Sequence, residues 1–96
     1  MTPKEVLEEL NINFDGQPGR GNSYVIDLPD DIEFGKIYSI LESNEEVEQL
    51  EDNNLLTVHN ASLLYSYKDI YQINVKADFD NDVYSVVCTD ISNGGN

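Results

Sequence analysis

Between Tyr71 and Phe79 every second residue is apolar: Tyr71, Ile73, Val75, Ala77 and Phe79 alternate with Gln72, Asn74, Lys76 and Asp78. A period of two marks a strand with one buried face. Asp80, Asn81 and Asp82 follow, residue types that tolerate turn conformations. A second β-rich run, Val83 to Thr89, then brings Tyr84, Val86, Val87 and Cys88. Two strands joined by a short polar turn predict an antiparallel hairpin. An isolated hairpin is only marginally stable, so the rest of the chain is expected to supply neighbours for its apolar face.

The preceding pattern supplies them. Thr2 as N-cap, Pro3 at the first helical position and Glu5 closing a capping box predict a short helix with Val6, Leu7 and Leu10 as its stripe, ending near Leu10 or Asn11. Ile12 and Phe14 alternate with polar neighbours and suggest a short extended piece. Asp15 to Asn22 reads as a loop, with Gly16, Gly19 and Gly21 permitting positive φ and Pro18 fixing a turn. It lacks the G-K-[ST] ending and the glycine spacing of a nucleotide fingerprint, so it reads as a connector and not a phosphate cradle. Tyr24 to Leu28 is a strand closed by Pro29.

Asp30 with Glu33, followed by Phe34, Ile37, Tyr38 and Leu41 at helical spacing, predicts a helix over 31–42, although Ile37 to Leu41 would also serve as a strand. Ser43 to Glu46 forms a second capping-box pattern leading into a short, solvated helix on Val47 and Leu50. That helix would break local rules, because Glu51 and Asp52 sit where the macrodipole favours cations and Glu48 and Asp52 are like charges four apart. Leu55 to His59 and Ser62 to Tyr67 read as strands around a turn at Asn60-Ala61. The expected fold is therefore α+β: an antiparallel β-meander of three to five strands with two or three short helices packed on one side. Residues 1–91 form one acidic domain, and 92–96 a flexible tail.

Ninety-six residues, 40% of them apolar, are one domain's worth of chain with a real core. No run approaches membrane-spanning length, and Met1 to Glu5 has no signal-peptide character. The single cysteine, Cys88, lies in a β-run and reads as a reduced, half-buried thiol, which favours a cytoplasmic setting. Charge changes the picture most. Nineteen acids against five bases give −14. Self-repulsion on that scale destabilises a compact state. It disfavours nucleic acid and anionic membrane as direct partners and favours a basic protein surface or a cation.

Candidate chemistry is sparse. His59 is the only histidine, Cys88 has no adjacent base to activate it, and no nucleophile–base pair is suggested. No catalytic residue and no cofactor is expected. Asp78, Asp80 and Asp82 resemble the opening of a calcium loop, but Val83 stands where that loop needs glycine and Thr89 where it needs glutamate, so no metal site is assigned. The acids fall into three groups: Asp27, Asp30, Asp31 and Glu33; Glu42, Glu45, Glu46, Glu48, Glu51 and Asp52; and Asp78, Asp80 and Asp82. The last two groups are the candidate partner-binding residues.

Duplex DNA carries one charge per roughly 1.7 Å of axis, so a net −14 equals about 24 Å of duplex. A 96-residue domain is about 30 Å across. In size and charge the chain resembles the small acidic inhibitors of phages and other mobile elements, including anti-CRISPR proteins and DNA-mimic anti-restriction proteins. The resemblance covers the character of the whole chain and no motif, so no residue role is carried over. It implies a non-enzymatic protein that binds and occludes a basic, nucleic-acid-binding surface, such as that of a nuclease. Two alternatives stand beside it: an immunity protein neutralising a basic toxin, and a plain adaptor whose interface uses exposed tyrosines among Tyr24, Tyr38, Tyr65, Tyr67, Tyr71 and Tyr84.

Overall fold

The computed structural model describes residues 1–92, except the side chains of residues 51–53. Helix α1 spans Pro3–Glu9 and helix α2 spans Asp31–Ser43. The strands are β1 (Gln17–Pro18), β2 (Ser23–Leu28), β3 (Val47–Leu56), β4 (Asn60–Tyr67), β5 (Tyr71–Asp78) and β6 (Val83–Asp90). They form one six-stranded sheet in the order β1-β2-β6-β5-β4-β3, antiparallel at every pairing. The α+β class and the antiparallel meander are as the sequence predicts, and β3 to β6 follow one another across the sheet. The strand count exceeds the expected three to five because the glycine-rich loop adds β1, while the segment after α2 is added to the strand expected at Leu55 to make the longer β3.

That second addition is a correction. The expected helix over 43–52 does not form. Ser43 ends α2, its hydroxyl donating to the Ser39 carbonyl at 2.7 Å, and the Asn44 side chain accepts from the Glu46 N–H at 2.8 Å to make a tight turn. Val47 then pairs with Tyr67 and Leu50 with Leu64. The register shifts between Leu50 and Leu55. The turn into β4 also falls earlier than expected, at 57–59, where the Thr57 hydroxyl accepts from the N–H groups of His59 and Asn60. Ile12 and Phe14 lie outside the sheet.

Both helices cover one face of the sheet, and local chemistry fixes their starts. Thr2 accepts from the Glu5 N–H at 3.2 Å while the Glu5 carboxylate accepts from the Thr2 N–H at 2.8 Å. Asp30 caps α2 by accepting from the Glu33 N–H at 2.9 Å. Val6, Leu7, Phe34, Ile37 and Leu41 on the helices, with Leu10 after α1, bury against Ile26, Leu63, Tyr65, Ile73, Val75, Tyr84, Val86 and Cys88 on the strands. Helix α2 also carries the chain across this face, from β2 near one edge to β3 at the other. Gly16 is needed for a close approach: a Cβ there would meet the Val25 carbonyl oxygen at 2.2 Å.

Among the described residues, alternation then leaves the other face without a covering element. Its central row runs Gln17, Val25, Val87, Asn74, Leu64 and Leu50 from edge to edge. Beside it lie Ser23, Thr89, Gln72, Ser66 and Glu48 on one side and Asp27, Ser85, Lys76, Ser62 and Leu55 on the other. Among the described residues, no helix is long and apolar enough to cross a membrane. Of the expected tail, Ser92 is hydrogen-bonded to Asp90 through its N–H (2.8 Å) and hydroxyl (2.6 Å), and 93–96 lie outside the described residues.

Candidate interaction surface

The turns at 57–59 and 79–82 sit side by side at one end of the sheet, because β4 and β5 pair from Asn60–Asp78 to Tyr67–Tyr71. The Phe79 N–H donates to the His59 carbonyl at 2.9 Å, and His59 Nδ1 lies 3.0 Å from the Asp80 carboxylate. The N-terminus of α2 reaches the same end, since the Phe34 ring packs 5.8 Å from the rings of both Phe79 and Tyr84. This end gathers Asp78, Asp80 and Asp82 with Asp30, Asp31 and Glu33.

The three turn aspartates do not converge on a point. Asp78 accepts from the Asn81 side chain (2.8 Å) and N–H (3.2 Å), which holds its carboxyl below the usual carboxylate range. Asp80 faces His59. Asp82, at φ 55°, accepts from the Tyr84 hydroxyl at 3.2 Å. Among the described residues no three His, Cys, Asp or Glu side chains are placed to share a metal ion.

Exposed apolar side chains collect at the same end. Leu56 is 61% exposed, Val58 84%, Val83 59% and Ile32 65%. Leu55 joins them on the open face, where it lines a groove of about 530 Å³ with His59, Ser62, Lys76, Asp80 and Val83. Large apolar groups kept in water among carboxylates are the arrangement of an interface core inside a charged rim. Sequence reasoning missed these residues because Leu55 to His59 read as an ordinary strand.

The second acidic group lies elsewhere. Glu42, near the end of α2, accepts from the buried Tyr65 hydroxyl at 2.7 Å. Glu45 and Glu46 occupy the turn before β3, and Glu46 is among the carboxylates, after Glu9, that raise the Lys68 ammonium's pKa at the β4–β5 turn. That turn is the opposite end of the sheet from Asp80, roughly 23 Å along a strand of eight residues. Glu48 points to the open face beside Ser66. Glu51 and Asp52 have side chains outside the described residues. The nine candidate residues therefore do not form one patch, and Glu48, expected on a helix, lies on strand β3 instead.

The tyrosines supply no apolar docking face. Tyr65, Tyr67, Tyr71 and Tyr84 are buried, and Tyr24 and Tyr38 are half-buried. Their hydroxyls reach the periphery: Tyr67 donates to Glu9 at 3.1 Å and Tyr71 to the Met1 carbonyl at 2.9 Å. Burial comes first in raising the pKa of both. Cys88 is fully buried, and burial pushes its thiol up to about 12, so it is no nucleophile at neutral pH. Among the described residues the ion pairs are Lys36–Glu33 at 3.2 Å and Lys68–Glu9 at 3.9 Å, and most carboxylates face water. Comparison with protein-family models, curated proteins and solved structures found no match.

Proposed function

We propose that this chain is a non-enzymatic, cytoplasmic binding protein that docks its turn end on a basic, nucleic-acid-binding protein surface and occludes it. The observation that carries the reading is the gathering of exposed Leu56, Val58, Val83 and Ile32 with six carboxylates at that end. Carboxylates stand in for phosphates toward lysine and arginine. The apolar groups add contact that a polyanion lacks. Charge of this kind steers encounter and sets partner choice, while the desolvated apolar anchors set residence time. An inhibitor needs no catalytic machinery to work by occlusion.

The test is a tagged pull-down from cell lysate at low and high salt, with duplex DNA as competitor. Capture of nucleic-acid-binding proteins, released by salt and by DNA, is the expected result. Replacing Asp78, Asp80 and Asp82 together by Asn is expected to weaken capture more than replacing Glu45 and Glu46 by Gln. Capture indifferent to salt, DNA and the aspartates would overturn the reading.

A further inference from the structure

We propose that the open face of the sheet is a self-association surface, on which a second copy of this chain packs face to face about a two-fold axis parallel to β6. On a body of net charge −14, two copies can approach only where charge is scarce. The open face is that place. Among its described residues it carries the carboxylates Asp27, Glu48 and Asp78 and the ammonium of Lys76. Ser, Thr, Asn, Gln, Val and Leu fill the rest, and Val25, Leu50, Leu64 and Val87 form a half-buried stripe across it.

The axis follows from complementarity. Asp27 on β2 pairs with Ser85 on β6, and Ser85 pairs with Lys76 on β5, so the acid and the base flank β6 in one row. A two-fold axis along β6 exchanges the positions of β2 and β5 between copies. Each Lys76 then meets Asp27 of the second copy, twice per dimer, and Val87 meets its own image. An isologous interface requires this self-complementarity.

The area is that of a weak association. About this axis β6 overlaps its image over eight residues, β2 and β5 overlap over six and β1 and β4 over two, a footprint of roughly 400 Å² per copy. Both copies together bury about 800 Å², below the roughly 1,000 Å² of a stable interface, so the dimer forms only at high protein concentration. The sheets stay within the roughly 30° of aligned sandwich packing. Both turn ends lie at the same end of the dimer, where their carboxylates repel. Added salt therefore strengthens this association, the reverse of its expected effect on capture of a basic partner.

Sedimentation equilibrium from about 10 µM to 1 mM, at about 0.05 M and 0.5 M NaCl, tests the proposal. The expected particle mass rises from 10.8 kDa toward twice that value, at lower concentration in the higher salt. Val87→Asp, checked for native circular dichroism, is expected to stay at the single mass. Asp27→Lys alone and Lys76→Asp alone each juxtapose like charges and are expected to weaken association at least about tenfold. Both are exposed positions, so these variants remain informative if Val87→Asp does not fold. The combined exchange is expected to recover wild-type association. A single mass under all conditions, or association that ignores all three substitutions, overturns the proposal.

Discussion

The two faces of the sheet obey the same alternation and are made of different residues. The helix-covered face is built from Tyr, Ile, Val and Leu, and its buried aromatics send their hydroxyls outward to Glu42, Glu9 and Asp82. The open face is built from Ser, Thr, Asn and Gln around a thin Val and Leu stripe. Its side chains are half-buried by their strand neighbours alone. The covered face specifies the fold. The open face carries little charge, three carboxylates against one ammonium among its described residues, while the ends carry most of the acids.

The widest gap between the faces should appear on truncation. Ile73→Ala, at a fully buried position, is expected to cost about 2–5 kcal/mol in urea unfolding. Val87→Ala on the open face should cost less than about 1 kcal/mol. Equal losses would mean that the open face is packed as tightly as the covered one.

Next come the tyrosine hydroxyls. Tyr65→Phe deletes the 2.7 Å bond to Glu42 and is expected to cost about 1–2 kcal/mol. Burial, then the Glu42 contact, raises the folded pKa of Tyr65, and burial does the same to Cys88. Groups whose pKa is raised on folding contribute stability below their unfolded pKa and lose it as pH rises through the folded one. Stability should therefore be level up to about pH 9 and fall toward pH 12. Cys88→Val should flatten the first part of that fall, as followed by circular dichroism. Alkaline stability that is the same with and without both groups would break the assignment.

The smallest expected effect is at the caps. Thr2→Ala and Asp30→Ala should each cost about 1 kcal/mol. Because its helix lies only on the covered face, Thr2→Ala should leave self-association unchanged, whereas Asp30→Ala also removes one of the turn-end carboxylates that repel in the dimer.

Much of this was legible in the residues. The hairpin over 69–90 was readable because both strands alternate and Asp80 to Asp82 accept turn geometry. Helix α2 was readable from its cap and from Phe34, Ile37 and Leu41. Strand β3 was not, for a physical reason. An edge strand pairs on one side only, and Val47 and Gln49 give it a thin inward face. The unfavourable charge order at Glu48, Glu51 and Asp52 was evidence against the helix itself, and the side chain of Asn44 supplied the turn that separates α2 from β3. The turn aspartates were legible as an acidic tip. Their union with Asp30, Asp31 and Glu33 was not, because it depends on the long-range pairing of Leu28 with Tyr84 and on the Phe34, Phe79 and Tyr84 contacts.

The position of β2 sets the order of events as the chain folds. Strands β4, β5 and β6 each meet the strand before them in sequence, so the meander can zip locally. Tyr24 must instead find Cys88, and Leu28 must find Tyr84, near the opposite end of the chain. Closing that loop is a late and slow step, since distant pairing costs entropy before it returns contacts. During synthesis α1 and β2 emerge long before the strand that gives them a floor, and they spend that interval as an acidic, solvated segment. A chain stopped before Val83 would leave β2 with no strand beyond β1 to join, so the molecule matures only when its last strand arrives.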